Sequence, residues 1–70
     1  MTTPELRAAC NSMALTAPVT LDDCRDIYAE LKPRLMAGMP LDVMCLDERS
    51  IRVTAGLMGS TQSVVMQAKS

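Results

Sequence analysis

The side chains that do chemistry in small proteins are scarce in this chain. It has no histidine, so histidine-based acid–base catalysis, cysteine–histidine nucleophiles and histidine-ligated metals are excluded. Its cysteines, Cys10, Cys24 and Cys45, are widely spaced and form no C-x-x-C pair, whereas a zinc site needs four nitrogen or sulfur ligands. We interpret them as small buried hydrophobes in a reducing compartment. No enzyme activity, metal or cofactor is therefore expected.

Two further groups of residues have a functional and an ordinary interpretation. The acidic pair Asp47 and Glu48 is a candidate contact for a partner or a metal, but two adjacent carboxylates do not make a metal site, and a solvated loop is favoured. The chain also has seven methionines and a single aromatic residue, Tyr28. Methionines form adaptable partner-binding patches in some proteins, but here we favour packing in a core without Phe or Trp.

Length and charge limit the partners. The 70 residues are 49% hydrophobic and 21% charged, which is typical of one small globular domain. The net charge of −1 and the lack of stacking aromatics disfavour nucleic acid as a partner. The longest uncharged stretch contains glycines and polar residues, and falls short of a membrane span. The N-terminus has no basic region leading into an apolar run, so we expect a cytoplasmic chain.

The clearest element is an amphipathic helix that begins after Thr20. The Thr20 hydroxyl is a predicted N-cap, and Asp22 and Asp23 fall in the first turn, where the helix dipole favours negative charge. Pro33 predicts a kink or an end near Lys32. Apolar residues at spacings of three and four form one stripe: Leu21, Cys24, Ile27, Tyr28, Leu31 and Leu35.

The remaining pattern predicts an α/β protein. Residues 41–46 are expected to form a buried strand, residues 13–19 a weaker strand, and the chain from Thr54 onward a second helix that contains Gly56 and Gly59. A strand–helix–strand connection of this length implies parallel pairing, so the predicted fold is a small βαβα unit. Residues 1–12 are an N-terminal segment that the sequence leaves open between a helix, a tail and an edge strand.

Two stretches resemble a known family. Residues 15–23, which lead into the amphipathic helix, are similar to the first strand, threonine cap and helix of a STAS domain, the fold of bacterial anti-sigma factor antagonists. The segments at residues 43–47 and 51–57 resemble the family's strand and the loop that leads to a regulatory Ser or Thr. The resemblance implies a STAS-like α/β domain at 13–70 that lacks the family's final strand and helix.

The resemblance also implies a function and a site. It places Thr54 at the phosphorylated position, at a helix N-terminus whose free N–H groups tolerate a phosphate. Without the resemblance, Thr54 is an ordinary N-cap. The residues expected to bind a partner are Asp47, Ser50, Arg52, Gly56 and Leu57.

Two classes of function are expected. The first is a signalling module that binds a protein partner, such as a kinase or an anti-sigma-type regulator, and is switched by phosphate on Thr54. The alternative is a small structural or assembly subunit that completes its sheet by forming a homo-oligomer.

Overall fold

The computed structural model describes residues 3–35, 37–56 and 59–69 of the chain. In this part, two helices precede three strands. The helices are α1 (Thr3–Asn11) and α2 (Leu21–Leu31), and a 3₁₀ turn (Lys32–Arg34) follows α2. The strands are β1 (Leu41–Asp47), β2 (Ser50–Ala55) and β3 (Gln62–Gln67).

Local sequence explains where α2 begins and ends. The Thr20 hydroxyl accepts a hydrogen bond from the Asp23 N–H at 3.4 Å, and the Asp23 carboxylate accepts one from the Thr20 N–H at 2.8 Å. This reciprocal capping box satisfies two N–H groups that the first turn leaves without a helical partner. At the other end, Pro33 lies in the 3₁₀ turn that directly follows the helix. The predicted cap and the predicted end near Lys32 are both confirmed.

Local sequence also explains how the helix α1 begins and which side of it is buried. Pro4 falls in the first turn, where its missing N–H costs nothing, and Glu5 is also in that turn. Leu6, Ala9 and Cys10 are spaced three and four apart and are buried. The N-terminal segment thus contributes to the same core as the rest of the chain.

The three strands form one antiparallel sheet in the order β1-β2-β3. Val53 at the centre of β2 pairs with Val43 on one side and Val64 on the other. Both helices pack against the face of the sheet that carries these valines. The most completely buried side chains of the core are Leu6, Leu31, Ile51, Val53 and Cys10.

The opposite face of the sheet, which we call the open face, carries the alternate residues of each strand. Across its middle, Met44, Arg52 and Val65 lie side by side, and all three are exposed. Arg52 Nη2 lies 3.5 Å from Met44 Sδ. One pair further along, the hydroxyls of Thr54 and Ser63 share a hydrogen bond of 3.1 Å.

The predicted βαβα unit with parallel strands is wrong. The strand at 41–46 is present, but its neighbours in the sheet follow it in the chain and run antiparallel to it. Residues 13–19 do not form a strand: only Thr16 makes an isolated parallel bridge, to Lys69. Pro18 lacks an N–H and is unsuited to a continuous ladder in this stretch. The implied STAS-like fold is therefore contradicted by the strand pairing.

The predicted helix from Thr54 onward is also wrong. Residues 51–55 alternate between the buried and the open face, and Val64 and Met66 alternate with exposed neighbours, which is the period of strands rather than of a helix. Gly56 and Gly59 have positive φ values of 125° and 88°, which end β2 and lead toward β3 instead of sitting within a helix. The predicted helix therefore spans the last two residues of β2, the connection that follows and β3.

Candidate functional site

Neither outer strand of the sheet makes a backbone hydrogen bond to a described segment other than β2. Past the end of β3, the Lys69 N–H donates to the Leu15 carbonyl at 2.9 Å and the Ala17 N–H donates to the Lys69 carbonyl at 3.4 Å, but none of these bonds involves Gln62–Gln67. At β1, none of the backbone hydrogen bonds between separate segments of the described chain involves Leu41–Asp47. In an antiparallel edge strand, alternate residues direct N–H and C=O groups outward. β1, like β3, therefore presents an open edge in the described part of the chain, although the Val19 N–H donates to the Glu48 carbonyl at 2.8 Å just past its end.

An apolar groove runs beside this open edge, between α2 and β1. Its volume is about 250 Å³, and Leu21, Cys24, Arg25, Tyr28 and Val43 line it. Leu21 is 73% exposed and Tyr28 is 41% exposed, although both are large apolar side chains. We call this feature the α2–β1 groove. An open strand edge with an apolar groove next to it is the arrangement that accepts an additional strand.

The two sides of α2 carry side chains of opposite charge. In the described part of the chain, the Arg25 guanidinium at the α2–β1 groove makes no ion pair or hydrogen bond. On the other side of the helix, Asp23, Asp26 and Glu30 line a second cavity of about 210 Å³, which faces Leu15. The α2–β1 groove thus offers an unpaired cation beside apolar side chains, whereas the other side of α2 is acidic.

Cys24 lines the α2–β1 groove, and Cys45 of β1 lies close to it. The Thr20 carbonyl accepts a hydrogen bond from the Cys24 N–H at 3.3 Å and from the Cys45 thiol at 3.8 Å. Burial, the neighbouring Cys45 and the carboxylate of Asp23 raise the pKa of the Cys24 thiol to about 11. Burial also raises the pKa of Cys10, which belongs to α1.

The residues predicted to form a site do not come together. Thr54 lies within β2 on the open face, so the predicted helix start at this residue is wrong and the chain offers no helix N-terminus there to receive a phosphate. Its hydroxyl instead pairs with Ser63, and Asp42 is its neighbour on β1. Arg52 lies on the same face. Phosphorylation of Thr54 stays a prediction.

Asp47 and Ser50 have a structural role at one end of the sheet. The Asp47 carboxylate accepts hydrogen bonds from the Arg49 N–H and the Ser50 hydroxyl, both at 2.8 Å. These bonds, that from the Arg49 N–H foremost, hold the pKa of Asp47 below its usual range. Asp47 and Ser50 thereby close the turn between β1 and β2, and a role in binding a partner stays a prediction.

The last two predicted residues lie at or beyond the far end of β2. Gly56 is buried, and its N–H donates to the Pro40 carbonyl at 3.2 Å. Leu57 lies outside the described residues, as do Met36 and Met58, two of the seven methionines.

The groove residues were not predicted as a site. Leu21 and Tyr28 were assigned to the buried stripe of α2, of which Cys24, Ile27, Leu31 and Leu35 are indeed buried. The available signal was Arg25, which lies between them at spacings of four and three and interrupts the apolar row. A charged residue in such a row indicates a part of the stripe that the domain's own core does not cover.

Comparison with known proteins gives no assignment: no protein-family model, curated protein or solved structure matches the chain. Nothing in these comparisons identifies a STAS domain. In the described part of the chain, neither helix is long and apolar enough to cross a membrane. The same residues contain no group of three or more cysteine, aspartate or glutamate side chains placed to hold a metal ion.

Proposed function

We propose that this chain is a non-enzymatic interaction module that binds an extended segment of a partner protein along the open edge of β1. The observation that carries the proposal is the α2–β1 groove beside β1, whose residues Leu41–Asp47 make no backbone hydrogen bond to a described segment other than the neighbouring strand. A fourth strand added there satisfies these groups and extends the sheet. Cys45, Val43 and Leu41 would lie on the helix-covered side of that added pair.

The α2–β1 groove provides a reason for side-chain selectivity. Alternate side chains of an added strand point to the same face, so every second residue of the partner is directed toward α2. An apolar side chain there would cover part of Leu21 and Tyr28, which are exposed in the free chain. Burying one such side chain contributes about 1.5–3 kcal/mol when the burial is complete.

Charge indicates what lies next to that apolar residue. Arg25 lines the groove and has no ion-pair partner in the described part of the chain. A carboxylate on the bound segment pairs with the guanidinium, and the planar guanidinium suits bidentate contact with it. The proposed ligand is therefore an extended segment in which Asp or Glu lies close to a large apolar side chain.

The alternative function, a subunit that completes its sheet with a second copy, is favoured by one specific observation. Antiparallel pairing of two β1 strands about Met44 places Val43 opposite Cys45, and each of the two acidic residues opposite a leucine. No like charges then face each other directly, which would otherwise destabilise the pair. This arrangement leaves Arg25 without the defined acidic partner that a separate ligand supplies.

Two measurements distinguish the two functions: the oligomeric state of the isolated chain and the peptides that it binds. Sedimentation equilibrium of the reduced 70-residue chain measures its mass. Random peptides displayed on phage are then selected on the immobilised chain, and the strongest binder is synthesised for titration. We expect a monomer that selects peptides with an acidic residue near a large apolar one. Hydrogen exchange should slow in β1 on peptide binding, with no comparable change in β3.

Two variants test the contacts. Leu21→Ala should weaken the selected peptide about tenfold, whereas Val65→Ala, an exposed apolar residue on the open face, should leave the affinity unchanged. Arg25→Glu should weaken acidic peptides and favour basic ones. If the free chain is a dimer in which hydrogen exchange of β1 is slow, the chain is an assembly subunit and the first function is wrong. Peptides whose affinity depends on Val65 and not on Leu21 would contradict the α2–β1 groove as the site.

The nature of the partner stays a prediction. A kinase or an anti-sigma-type protein was expected from the family resemblance, and phosphate on Thr54 was expected to regulate the contact. A phosphate on Thr54 would lie on the open face beside Asp42, where like charge opposes it. Mass spectrometry after incubation with a candidate kinase, with Thr54→Ala as the control, tests this expectation separately from peptide binding.

A further inference from the structure

Cys24 and Cys45 bring two thiols together from different elements of the fold. Cys24 belongs to α2 and Cys45 to β1, and both hydrogen-bond to the same Thr20 carbonyl oxygen, through the Cys24 N–H at 3.3 Å and the Cys45 thiol at 3.8 Å. Cys45 is close enough to Cys24 to contribute to the raised pKa of the Cys24 thiol. Only 21 residues separate them in the chain, but they meet solely because α2 packs on β1.

The two thiols differ in exposure. Cys24 is 8% exposed, whereas Cys45 is partly exposed. Cys10, the third cysteine, is buried in α1, which packs on β3 rather than on β1. The pair thus combines a thiol that solvent reaches with a second thiol held directly behind it, which is the arrangement of an attacking and a resolving cysteine.

We propose that Cys24 and Cys45 are a redox pair that forms a reversible disulfide between α2 and β1 when the chain meets a hydroperoxide, and that this bond narrows the α2–β1 groove. The regulatory half of this inference rests on the proposed function, because the groove is the binding site only if that function is correct. The disulfide itself depends only on the two thiols.

The chemistry balances with a hydroperoxide as the oxidant. The Cys45 thiolate attacks one peroxide oxygen, the O–O bond breaks, and Cys45 becomes a sulfenic acid while the other oxygen leaves as water or an alcohol. The Cys24 sulfur then attacks Cys45 Sγ, the S–O bond breaks, and water leaves with the Cys24 proton. Two thiols lose two electrons and one peroxide gains them, and a dithiol reductant reverses the reaction.

The order of attack follows from the surroundings of each thiol. Burial and the neighbouring Cys45 and Asp23 raise the pKa of Cys24, so its proton stays on at neutral pH and the thiol does not react first. Cys45 is the more exposed of the two. It therefore meets the peroxide first, and Cys24 resolves the sulfenic acid.

The bond changes the groove because Cys24 is one of its lining residues, and Val43 is two positions before Cys45 on the same face of β1. A disulfide holds its sulfurs about 2.05 Å apart, closer than any non-bonded contact of two thiols. α2 is thereby drawn toward β1 beside the groove. We expect the oxidised chain to bind its ligand more weakly than the reduced chain.

The disulfide is tested on the full chain without any ligand. The reduced protein is treated with a small excess of hydrogen peroxide, quenched with catalase, alkylated and digested. Mass spectrometry should find Cys24 and Cys45 in one cross-linked peptide and Cys10 alkylated. Cys10→Ala is the matched control and should give the same cross-link, whereas Cys45→Ala should abolish it. Cys45 is partly exposed, so this variant should keep the fold, which circular dichroism verifies.

Other products would overturn the pair. Cross-links that involve Cys10, or oxidation of Cys45 to a sulfinic acid with Cys24 still alkylated, would show that Cys24 does not resolve the sulfenic acid. Titration of the selected peptide against reduced and oxidised chain tests the regulatory half, with about a tenfold loss of affinity expected on oxidation. An unchanged affinity would overturn that half. A reduced chain that selects no peptide refutes the proposed function, while the cross-link still decides the redox pair.

Discussion

The two edges of the sheet use the same kind of backbone but differ in how the helix beside each one buries its side chains. Past the end of β3, Lys69 pairs with Leu15 and Ala17, and α1 packs against the strand. Past the end of β1, the Val19 N–H donates to the Glu48 carbonyl, and α2 packs against the strand. Neither outer strand itself makes a backbone hydrogen bond to a further described segment, so the helices distinguish the two edges. An exposed strand edge is a hazard for aggregation unless it has a partner.

The helices bury their leucines to different extents. Beside β3, α1 places Leu6 in the core at 1% exposure. Beside β1, α2 leaves Leu21 largely exposed although it is the same residue type. Equal hydrophobic side chains thus stabilise the fold on one side and remain available for binding on the other. This contrast supports the assignment of the α2–β1 groove to recognition.

The largest loss of stability is expected from replacing Leu6, and Leu21 is the matched control. Leu6→Ala removes a fully buried side chain from beside β3 and should lower the free energy of unfolding by about 2–5 kcal/mol. Leu21→Ala should change it by less than about 0.5 kcal/mol, because its side chain is mostly in water already. Urea denaturation followed by circular dichroism measures both. Equal losses would show that the open edge is part of the core after all.

A smaller effect is expected at Gly56, which joins the far ends of β1 and β2. Its φ of 125° is unfavourable for other residues, and a Cβ there would lie 2.6 Å from the Ser60 carbonyl oxygen, which is backbone. Gly56→Ala should therefore lower the free energy of unfolding by about 1–3 kcal/mol. The change in melting temperature, or in the urea midpoint, measures the effect.

Gly38→Ala is the matched control for that variant. Gly38 also has a positive φ, 83°, but a Cβ there would meet nothing within 4 Å. Gly38→Ala tests the backbone strain of a positive φ without a steric clash of the new Cβ. Its loss of stability should therefore be smaller than that of Gly56→Ala. A loss at Gly38 equal to that at Gly56 would mean that the close approach to Ser60 carries no cost.

Local signals in the sequence were sufficient for α2 and β1. The Thr20 cap, Pro33 and the run at 41–46 each act within a few residues, and each predicted its element correctly. The pairing of the strands could not be found in this way, because it depends on whether the chain after β1 turns back as a strand or continues as a helix. Gly56 and Gly59 carried the signal for turns, but the spacing of Val64 and Val65 also fitted a helix.

The candidate site was less predictable than the fold. Thr54 and its neighbours were chosen through a family resemblance that required a helix start, and in a strand the same hydroxyl simply pairs with Ser63. The edge of β1 is open because no further strand of the described chain pairs with it, and no local pattern in the sequence indicates this. Cys24 and Cys45 likewise meet only through the packing of α2 on β1. A site that is formed by the packing of separate elements can be predicted only once the topology of the fold is known.

The smallest effect concerns the end of the open edge, where Asp47 closes the turn between β1 and β2. Because its carboxylate accepts bonds from the Arg49 N–H and the Ser50 hydroxyl, its pKa in the folded chain lies below the ordinary value of 3.8. Its contribution is therefore present above that pH and is lost as the pH falls through the folded pKa. The difference in unfolding free energy between the wild type and Asp47→Asn should shrink between about pH 5 and about pH 2. A difference that stays constant over this range would mean that the charge of Asp47 does not stabilise the turn.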